Sequence, residues 1–119
     1  MNTYPRSEKL KSEKEISYLF QRGKWVSVGN LRIIFTQHTE RNILKVGVSV
    51  SKKLFKHSVD RNRIKRLLRE CYRLHKQEFI DVFGENVLAM VFWVSPKLPQ
   101  NYFEVERHFM KLLFIKIKN

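Results

Sequence analysis

The sequence is poor in cysteine, with Cys71 as its one thiol among 119 residues. A single cysteine excludes an internal disulfide framework and a zinc site built from several thiolates, so Cys71 is expected in the core. Long apolar runs are also missing, since no stretch reaches the roughly 18 to 20 residues that a membrane-spanning helix needs. The opening segment, MNTYPRSEKLKSEKE, lacks the apolar region of a secretory signal. We therefore expect a cytoplasmic protein without a membrane anchor.

Acidic residues are scarce relative to basic ones, with 11 Asp and Glu against 24 Lys and Arg. The resulting net charge of +13 attracts polyanions at long range, and nucleic acid is the leading partner. Glycine and proline are few, at 4 and 3, and no repeat, linker or low-complexity segment is visible. With 43% hydrophobic residues, the chain 1–119 is long enough for one domain with a core and too short for two.

Motifs that carry chemistry are absent as well. The sequence has no GxxxxGKS or GxGxxG loop and no HxxxH, HExxH or CxxC spacing. Its carboxylates are scattered, whereas hydrolysis by a protein needs convergent carboxylates or a nucleophile beside its base. We expect neither catalytic side chains nor a metal site in this chain.

What the sequence does contain is a strongly basic segment, 60–76, whose apolar residues recur at helical spacing. At about 100° per residue, one side carries the predicted core stripe: Ile64, Leu67, Leu68, Cys71, Leu74 and His75. The opposite side carries Arg61, Lys65, Arg66, Arg69, Arg73 and Lys76, with Asn62 in its middle and Arg63 at a flank. A solvated helix face normally mixes both signs of charge, so this face predicts a partner rich in phosphate.

The start of this helix is the strongest candidate site. Backbone N–H groups and the positive end of the helix dipole favour anions there, and Arg61, Asn62 and Arg63 follow directly. Either Ser58 or Asp60 is expected to cap the helix. The sequence thus predicts phosphate binding at this helix end.

Lys52 and Lys53 follow the clearest predicted strand, 44–51, and are expected on the same side as the helix start. One face of this strand alternates apolar residues and is predicted to be buried. Its other face carries Gly47, Ser49 and Ser51, small residues that would let a nucleic-acid backbone approach closely.

Aromatic side chains beside basic residues can stack on unpaired bases. Phe20 and Phe35 are candidates, with Trp25 as a third, and core packing remains the alternative for each of them. Three further aromatic residues are expected in the core: Phe92, Trp93 and Phe109.

Seven elements are predicted, in the order α, β, β, β, α, β, α. They are a helix at 13–22, strands at 25–28, 31–37 and 44–51, the basic helix from 61 to about 80, a strand at 87–94 and a final helix from about 101. Ser12 with Glu15, and Asn101 with Glu104, resemble helix N-terminal caps, and Gly23 resembles a helix stop. This order predicts an α+β fold, a two-layer sandwich of helices on a four-stranded sheet.

The run VGVSVSKK at 46–53, followed by RNRIKRLLRE at 61–70, resembles the signature of the bacterial ribonuclease P protein subunit. The resemblance extends over nearly the whole chain and includes Phe20 and Gly23. Members of that family assist a catalytic RNA that removes the 5′ leader from precursor tRNA. The resemblance implies a left-handed β-α-β crossover, as in a ribosomal protein domain, where general rules favour the right-handed form.

The resemblance also implies two RNA contacts. The residues implied to meet the catalytic RNA are Arg61, Asn62, Arg63, Lys65, Arg66, Arg69, Lys52 and Lys53. A cleft between the sheet and the first helix would hold the single-stranded leader, and the residues implied to line it are Phe20, Ile16, Phe35, Ser49 and Ser51. Ile16 stands where some members carry an aromatic residue, so stacking is not implied there.

By the same resemblance, the active site and its Mg²⁺ belong to the RNA, and the chain is a monomeric subunit, one per ribozyme, of an endonuclease acting on precursor tRNA. No DNA or membrane partner is implied. The residues alone leave three alternatives open: a ribosomal or other structural RNA-binding protein, a DNA-binding module whose basic helix enters a major groove, and a stand-alone nuclease.

Overall fold

The computed structural model describes residues 8–10, 12–38 and 43–118. Within these ranges the helices are α1 (Glu13–Arg22), α2 (Ser58–Leu74), α3 (Lys76–Phe83) and α4 (Tyr102–Lys118). The strands are β1 (Lys24–Val28), β2 (Leu31–Gln37), β3 (Leu44–Val50) and β4 (Val87–Trp93). Every predicted element is present with similar bounds, except that two helices replace the single predicted basic helix.

The four strands form one mixed sheet in the order β1-β2-β4-β3. Strand β2 is antiparallel to both β1 and β4, whereas β3 is parallel to β4. Gly29 turns the chain between β1 and β2 with a φ of 56°, a left-handed conformation that glycine adopts without steric cost. Helices α2 and α3 connect the parallel pair. The predicted α+β fold is therefore confirmed, and the left-handedness of the crossover stays a prediction.

Alternate residues of the sheet enter two separate hydrophobic clusters. On one face, Leu31 and Ile33 of β2 belong to the main core, which is shared with α2, α3 and α4. On the other face, Ile34 packs with Leu88 of β4 and with Leu19 of α1, which is fully buried. Helix α1 thus adds a partial third layer to the predicted two-layer sandwich.

Helix α1 begins and ends where the sequence predicted. The Ser12 hydroxyl accepts a hydrogen bond from the Glu15 backbone N–H at 3.4 Å, and the Gly23 N–H donates to the Leu19 carbonyl at 2.7 Å. Gly23 has an ordinary φ of −73°, so glycine is needed there for space. A Cβ at this position would lie 2.4 Å from Cγ1 of Ile34. The close approach of α1 to β2 therefore depends on the missing side chain.

The predicted basic helix is interrupted at His75, which has φ −115° and ψ 28°. No glycine or proline marks the break, and apolar residues continue at helical spacing to Phe79, so the sequence pattern indicated one helix. The His75 ring lies between two carboxylates, with Nδ1 2.6 Å from Oε2 of Glu78 and Nε2 2.7 Å from Oε2 of Glu106 in α4. Desolvation opposes protonation of His75, but these hydrogen bonds and charges outweigh it and raise its pKa.

Helix α4 has the predicted N-terminal cap. The Asn101 side-chain oxygen accepts from the Glu104 N–H at 3.0 Å, and the Glu104 carboxylate accepts from the Gln100 N–H at 2.6 Å. None of the helices in the described ranges combines the length and the hydropathy needed to cross a bilayer.

Candidate nucleic-acid interface

Helix α2 buries one side against the sheet and presents a basic side to solvent. Its buried residues are Ile64, Leu68, Cys71 and Tyr72. The predicted stripe was wrong at Leu74, which is 36% exposed, and it omitted Tyr72, which is buried. Burial raises the pKa of the Cys71 thiol to about 12, in keeping with its place in the core. The residues on the exposed side are Asn62, Arg63, Arg66 and Arg69, with Lys65 partly exposed.

Neither predicted cap of α2 is correct. The N-cap residue is His57, whose side chain makes no capping hydrogen bond, so Ser58 and Asp60 lie within the first turn. Phe55, which is buried, lies just before the helix. Asp60 in the first turn is favourable to the helix dipole. The His57 side chain accepts no hydrogen bond from the backbone N–H groups of the first turn, so other acceptors can bind these groups.

Arg61 turns back toward the chain that precedes the helix. Its Nη1 donates to the carbonyl of Phe55 at 2.8 Å and to that of Lys56 at 2.9 Å. Arg61, which the helical wheel placed on the basic side, is therefore only partly exposed, and one of its guanidinium nitrogens is bound within the chain. Lys52 and Lys53 are exposed in the turn after β3.

The last turns of the basic face are partly neutralised. Arg73 Nε donates to the Glu70 carboxylate at 3.1 Å, and this hydrogen bond lowers the pKa of Glu70. Lys76 forms an ion pair with Glu8, which precedes α1. Within the described ranges no carboxylate pairs with the cations of the earlier turns, which are Arg63, Lys65, Arg66 and Arg69. The one-sign face is thus concentrated between Arg63 and Arg69 of α2.

A second exposed group lies on the sheet face that α1 partly covers. Phe20 of α1, Trp25 of β1 and Phe92 of β4 have ring centroids 5.4 to 6.3 Å apart. Phe20 is 46% exposed and Trp25 is 42% exposed. The guanidinium carbon of Arg32, in β2, lies 4.3 Å from the Trp25 ring centroid. We name Phe20, Trp25, Arg32 and Phe92 the aromatic cleft.

Phe35 does not share this cleft, and the expectation that it lines the same surface as Phe20 is wrong. Phe35 alternates with Ile34 along β2 and lies on the opposite face of the sheet, where it packs against the main core. Its ring is 4.9 Å from that of Phe83. Ile16 does lie on the face of the cleft, where it is partly buried against the Leu19 cluster.

The open face predicted for β3 is partly closed. Gly47 is buried, and a Cβ there would lie 3.3 Å from Cβ of Leu10, so this glycine serves packing within the chain. Ser49 is partly exposed and pairs with Phe92 of β4, next to the cleft. Ser51 is exposed and its hydroxyl accepts from the Lys53 N–H at 3.0 Å. The middle of this face is therefore closed at Gly47, whereas Ser49 and Ser51, toward α2, stay partly or fully exposed.

Two members of the cleft were not predicted from the sequence. Arg32 is one of many basic residues in the sequence and was not singled out. Phe92 was assigned to the core, although it is only partly buried. A signal was available, because strict alternation along β2 places Arg32 on the face of Ile34. What was missing was the strand order, in which Arg32 is opposite Phe92.

The described residues offer no metal site, since no group of three or more His, Cys, Asp or Glu side chains is close enough to hold an ion.

Comparison with known proteins gives a consistent assignment. The family model described as ribonuclease P matches residues 4–118. A ribonuclease P protein component from Porphyromonas gingivalis is 39% identical over 113 residues, which cover 91% of this chain and 82% of that protein. One from Dictyoglomus thermophilum is 32% identical over 115 residues, covering 97% and 88%.

Solved structures share the fold. The RNase P protein of Staphylococcus aureus superposes with a TM-score of 0.76 at 23% identity, covering 92% of this chain and 95% of that one. That of Thermotoga maritima gives a TM-score of 0.70 at 20% identity, covering 89% and 94%. Taken with the basic helix and the sequence matches, these similarities show that the chain belongs to the ribonuclease P protein family, the RNA-binding protein components of a ribonucleoprotein endoribonuclease.

Proposed function

We propose that this chain binds both the catalytic RNA of a cytoplasmic ribonuclease P holoenzyme and the 5′ leader of its precursor tRNA substrate. The exposed side of α2, together with the loop 51–57 that precedes it, binds the catalytic RNA. The aromatic cleft binds the single-stranded leader. One copy of the chain serves each ribozyme, and the RNA provides the active site and holds the Mg²⁺. The chain thereby assists endonucleolytic removal of the leader, which leaves the mature tRNA 5′ end.

The observation that supports this proposal is that a basic helix and an exposed aromatic cleft lie on opposite faces of one sheet. Helix α2 packs on the face of the main core, whereas Phe92 and its ring neighbours lie on the face of α1. Each surface can therefore be occupied while the other is in use. This arrangement suits a protein that bridges an RNA enzyme and its RNA substrate.

The two surfaces suit different forms of RNA. Arginine offers planar, forked donors that match phosphate oxygens. The one-sign face of α2 presents Arg63, Arg66 and Arg69, which form no ion pair with a carboxylate among the described residues. Exposed rings beside a guanidinium suit unpaired bases, which stack on aromatic faces. The chain's contribution is to hold RNA and to screen phosphate repulsion between substrate and ribozyme.

Reconstitution tests the proposal directly. Cleavage of precursor tRNA by a cognate ribonuclease P RNA at low Mg²⁺ should increase when the chain is added. If about six phosphates are neutralised on single-stranded RNA, log affinity should fall with log salt at a slope of roughly −4. No gain in cleavage would favour a ribosomal or other structural RNA-binding role, and a flat salt dependence would refute the electrostatic contribution.

Matched variants separate the two surfaces. Arg63→Gln should weaken binding of the catalytic RNA, whereas Arg107→Gln, an equal charge removal at an exposed position of α4, should not. Phe20→Ala should weaken binding of leader-bearing precursor tRNA and leave mature tRNA unaffected. Equal effects of Arg63→Gln and Arg107→Gln would mean that only net charge matters.

Two controls address the remaining alternatives. Duplex DNA should compete poorly at equal salt against precursor tRNA, and strong competition would indicate a DNA-binding module. The chain with Mg²⁺ and substrate, but without the RNA partner, should cleave nothing. Cleavage in that mixture would show a stand-alone nuclease.

A further inference from the structure

The loop 51–57 carries three exposed lysines, Lys52, Lys53 and Lys56, yet its backbone is held by specific hydrogen bonds. Ser51 accepts two of them: its hydroxyl from the Lys53 N–H at 3.0 Å and its carbonyl from the Phe55 N–H at 3.1 Å. The Phe55 side chain is 6% exposed and anchors the loop in the main core. The lysines are therefore displayed from a shaped turn.

The Arg61 side chain completes this turn from the helix. One nitrogen, Nη1, donates to two successive carbonyls, those of Phe55 at 2.8 Å and Lys56 at 2.9 Å. Both carbonyls precede the first residue of α2. The next carbonyl along the chain, that of His57, accepts the first hydrogen bond of the helix, from the Arg61 backbone N–H at 3.2 Å. The Arg61 side chain thus ties the loop to the first turn of the helix.

We propose that Arg61 is a positioning residue that preorganises the loop 51–57 for phosphate, while Arg63 is the phosphate contact of this helix end. This inference rests on the proposed binding of the catalytic RNA by α2. A loop that is already ordered loses less conformational entropy when its lysines meet phosphates, so the fixed turn improves affinity without a contact of its own. Arg61 and Arg63, two residues apart, then have different tasks.

Hydrogen exchange of the free protein tests the positioning role without RNA. Arg61→Met keeps an unbranched apolar stem but removes the charge and the donors, and Arg63→Met is the matched control. Amide exchange of Lys53 and Phe55 should accelerate about tenfold or more in Arg61→Met, while amides of β4 keep their wild-type rates, showing that the fold is intact. Wild-type exchange of both loop amides in Arg61→Met would overturn the proposal, as would equal acceleration in Arg63→Met.

The salt dependence of binding to ribonuclease P RNA gives the second test. Arg63→Met should reduce the slope of log affinity against log salt by about 0.7 to 0.9, the amount expected when one cation no longer neutralises a phosphate. Arg61→Met should lower affinity severalfold and keep the wild-type slope. A slope reduced in Arg61→Met as in Arg63→Met would make Arg61 a phosphate ligand and refute its positioning role.

Lys56 supplies the last discriminating comparison. If Arg61 acts through the loop, Lys56→Met should cost less affinity in the Arg61→Met background than in the wild type, because the two residues are coupled. Strict additivity would overturn the proposal. Should Arg63→Met leave RNA affinity unchanged while the exchange result holds, the proposed RNA-binding role of α2 fails and the loop-ordering role of Arg61 stands.

Discussion

The Arg32 guanidinium covers one face of the Trp25 indole, with its carbon 4.3 Å from the ring centroid. The two residues are diagonal neighbours on adjacent antiparallel strands, since Trp25 is opposite Ile34 and Arg32 is opposite Ser27. A cation above a tryptophan ring is attracted by the ring's quadrupole, which stabilises this arrangement of the two side chains. Trp25 is therefore held in place while 42% of it stays exposed.

Trp25 is expected to act as a stacking platform for the leader. Replacement by leucine keeps an apolar residue on the strand and removes the ring. Stacking of one base contributes about 1 to 3 kcal/mol, so Trp25→Leu should weaken precursor tRNA binding by roughly 5- to 150-fold. Binding of mature tRNA, measured under the same salt conditions, should be unchanged.

The control for this prediction is Phe103→Leu, which removes an aromatic ring that is 70% exposed on α4. It should change neither affinity. If Trp25→Leu weakens mature and precursor tRNA equally, Trp25 has no part in recognising the leader.

Leu19 is expected to determine whether α1 stays attached to the sheet. It is fully buried against Ile34 and Leu88 in the smaller cluster. Leu19→Ala should lower the free energy of unfolding by about 2 to 5 kcal/mol, as large-to-small core substitutions do. Urea titration followed by circular dichroism measures this, and the adjacent Phe20→Ala, whose ring is 46% exposed, should cost clearly less. A smaller loss for Leu19→Ala than for Phe20→Ala would contradict the assignment of Leu19 as the anchor.

Gly23→Ala should destabilise the protein although the backbone conformation there is ordinary. Its Cβ would lie 2.5 Å from the Leu19 carbonyl oxygen, a backbone atom that cannot move without bending α1. Overpacking of this kind costs about 1 to 3 kcal/mol, which thermal unfolding would report as a lower Tm. Gly47→Ala is the comparison, because its closest contact is 3.3 Å, and it should lower the Tm less. An unchanged Tm for Gly23→Ala would show that α1 shifts at no cost.

Stability should depend on pH through the cluster of His75, Glu78 and Glu106. Folding raises the pKa of His75 above its ordinary 6.5, so its stabilising contribution is complete below pH 6.5 and is lost as the pH rises through the raised value. The hydrogen bond from His75 lowers the pKa of Glu78. The stabilising contribution of Glu78 is therefore present above its ordinary pKa of 4.5 and is lost as the pH falls through the lowered value.

The measurement is the free energy of unfolding of the wild type and of His75→Gln at a series of pH values from roughly 5.5 to 8.5. The advantage of the wild type should shrink toward the alkaline end. An advantage that is constant or grows with pH would contradict a protonated His75 between the two carboxylates.

The sequence predicted most of the fold because its elements have local signals. Alternation along 44–51 and the caps at Ser12 and Asn101 give strands and helix starts directly. The break at His75 had no such signal, since it is stabilised by Glu106, a residue of a distant helix. Helix boundaries set by tertiary contacts are not visible in local periodicity.

Local sequence patterns also predicted one part of the candidate site and missed the parts that depend on tertiary contacts. A helical wheel correctly places Arg63, Arg66 and Arg69 on the exposed side. It cannot show that the Arg61 side chain folds back onto the loop, because that contact depends on the path of the preceding chain. Phe35 was misplaced by weighing aromatic character above strand alternation, which puts it on the core face.

The division of β2 between two clusters has a consequence for how the protein opens. Ile33 and Ile34 are adjacent in sequence, yet one belongs to the main core and the other to the smaller cluster under α1. Regions with little buried apolar surface unfold locally at a lower free energy than the whole domain. We expect α1 to detach as a separate cooperative unit, leaving the sheet and the three other helices intact. Leader affinity would then respond to this sub-global equilibrium in addition to global unfolding.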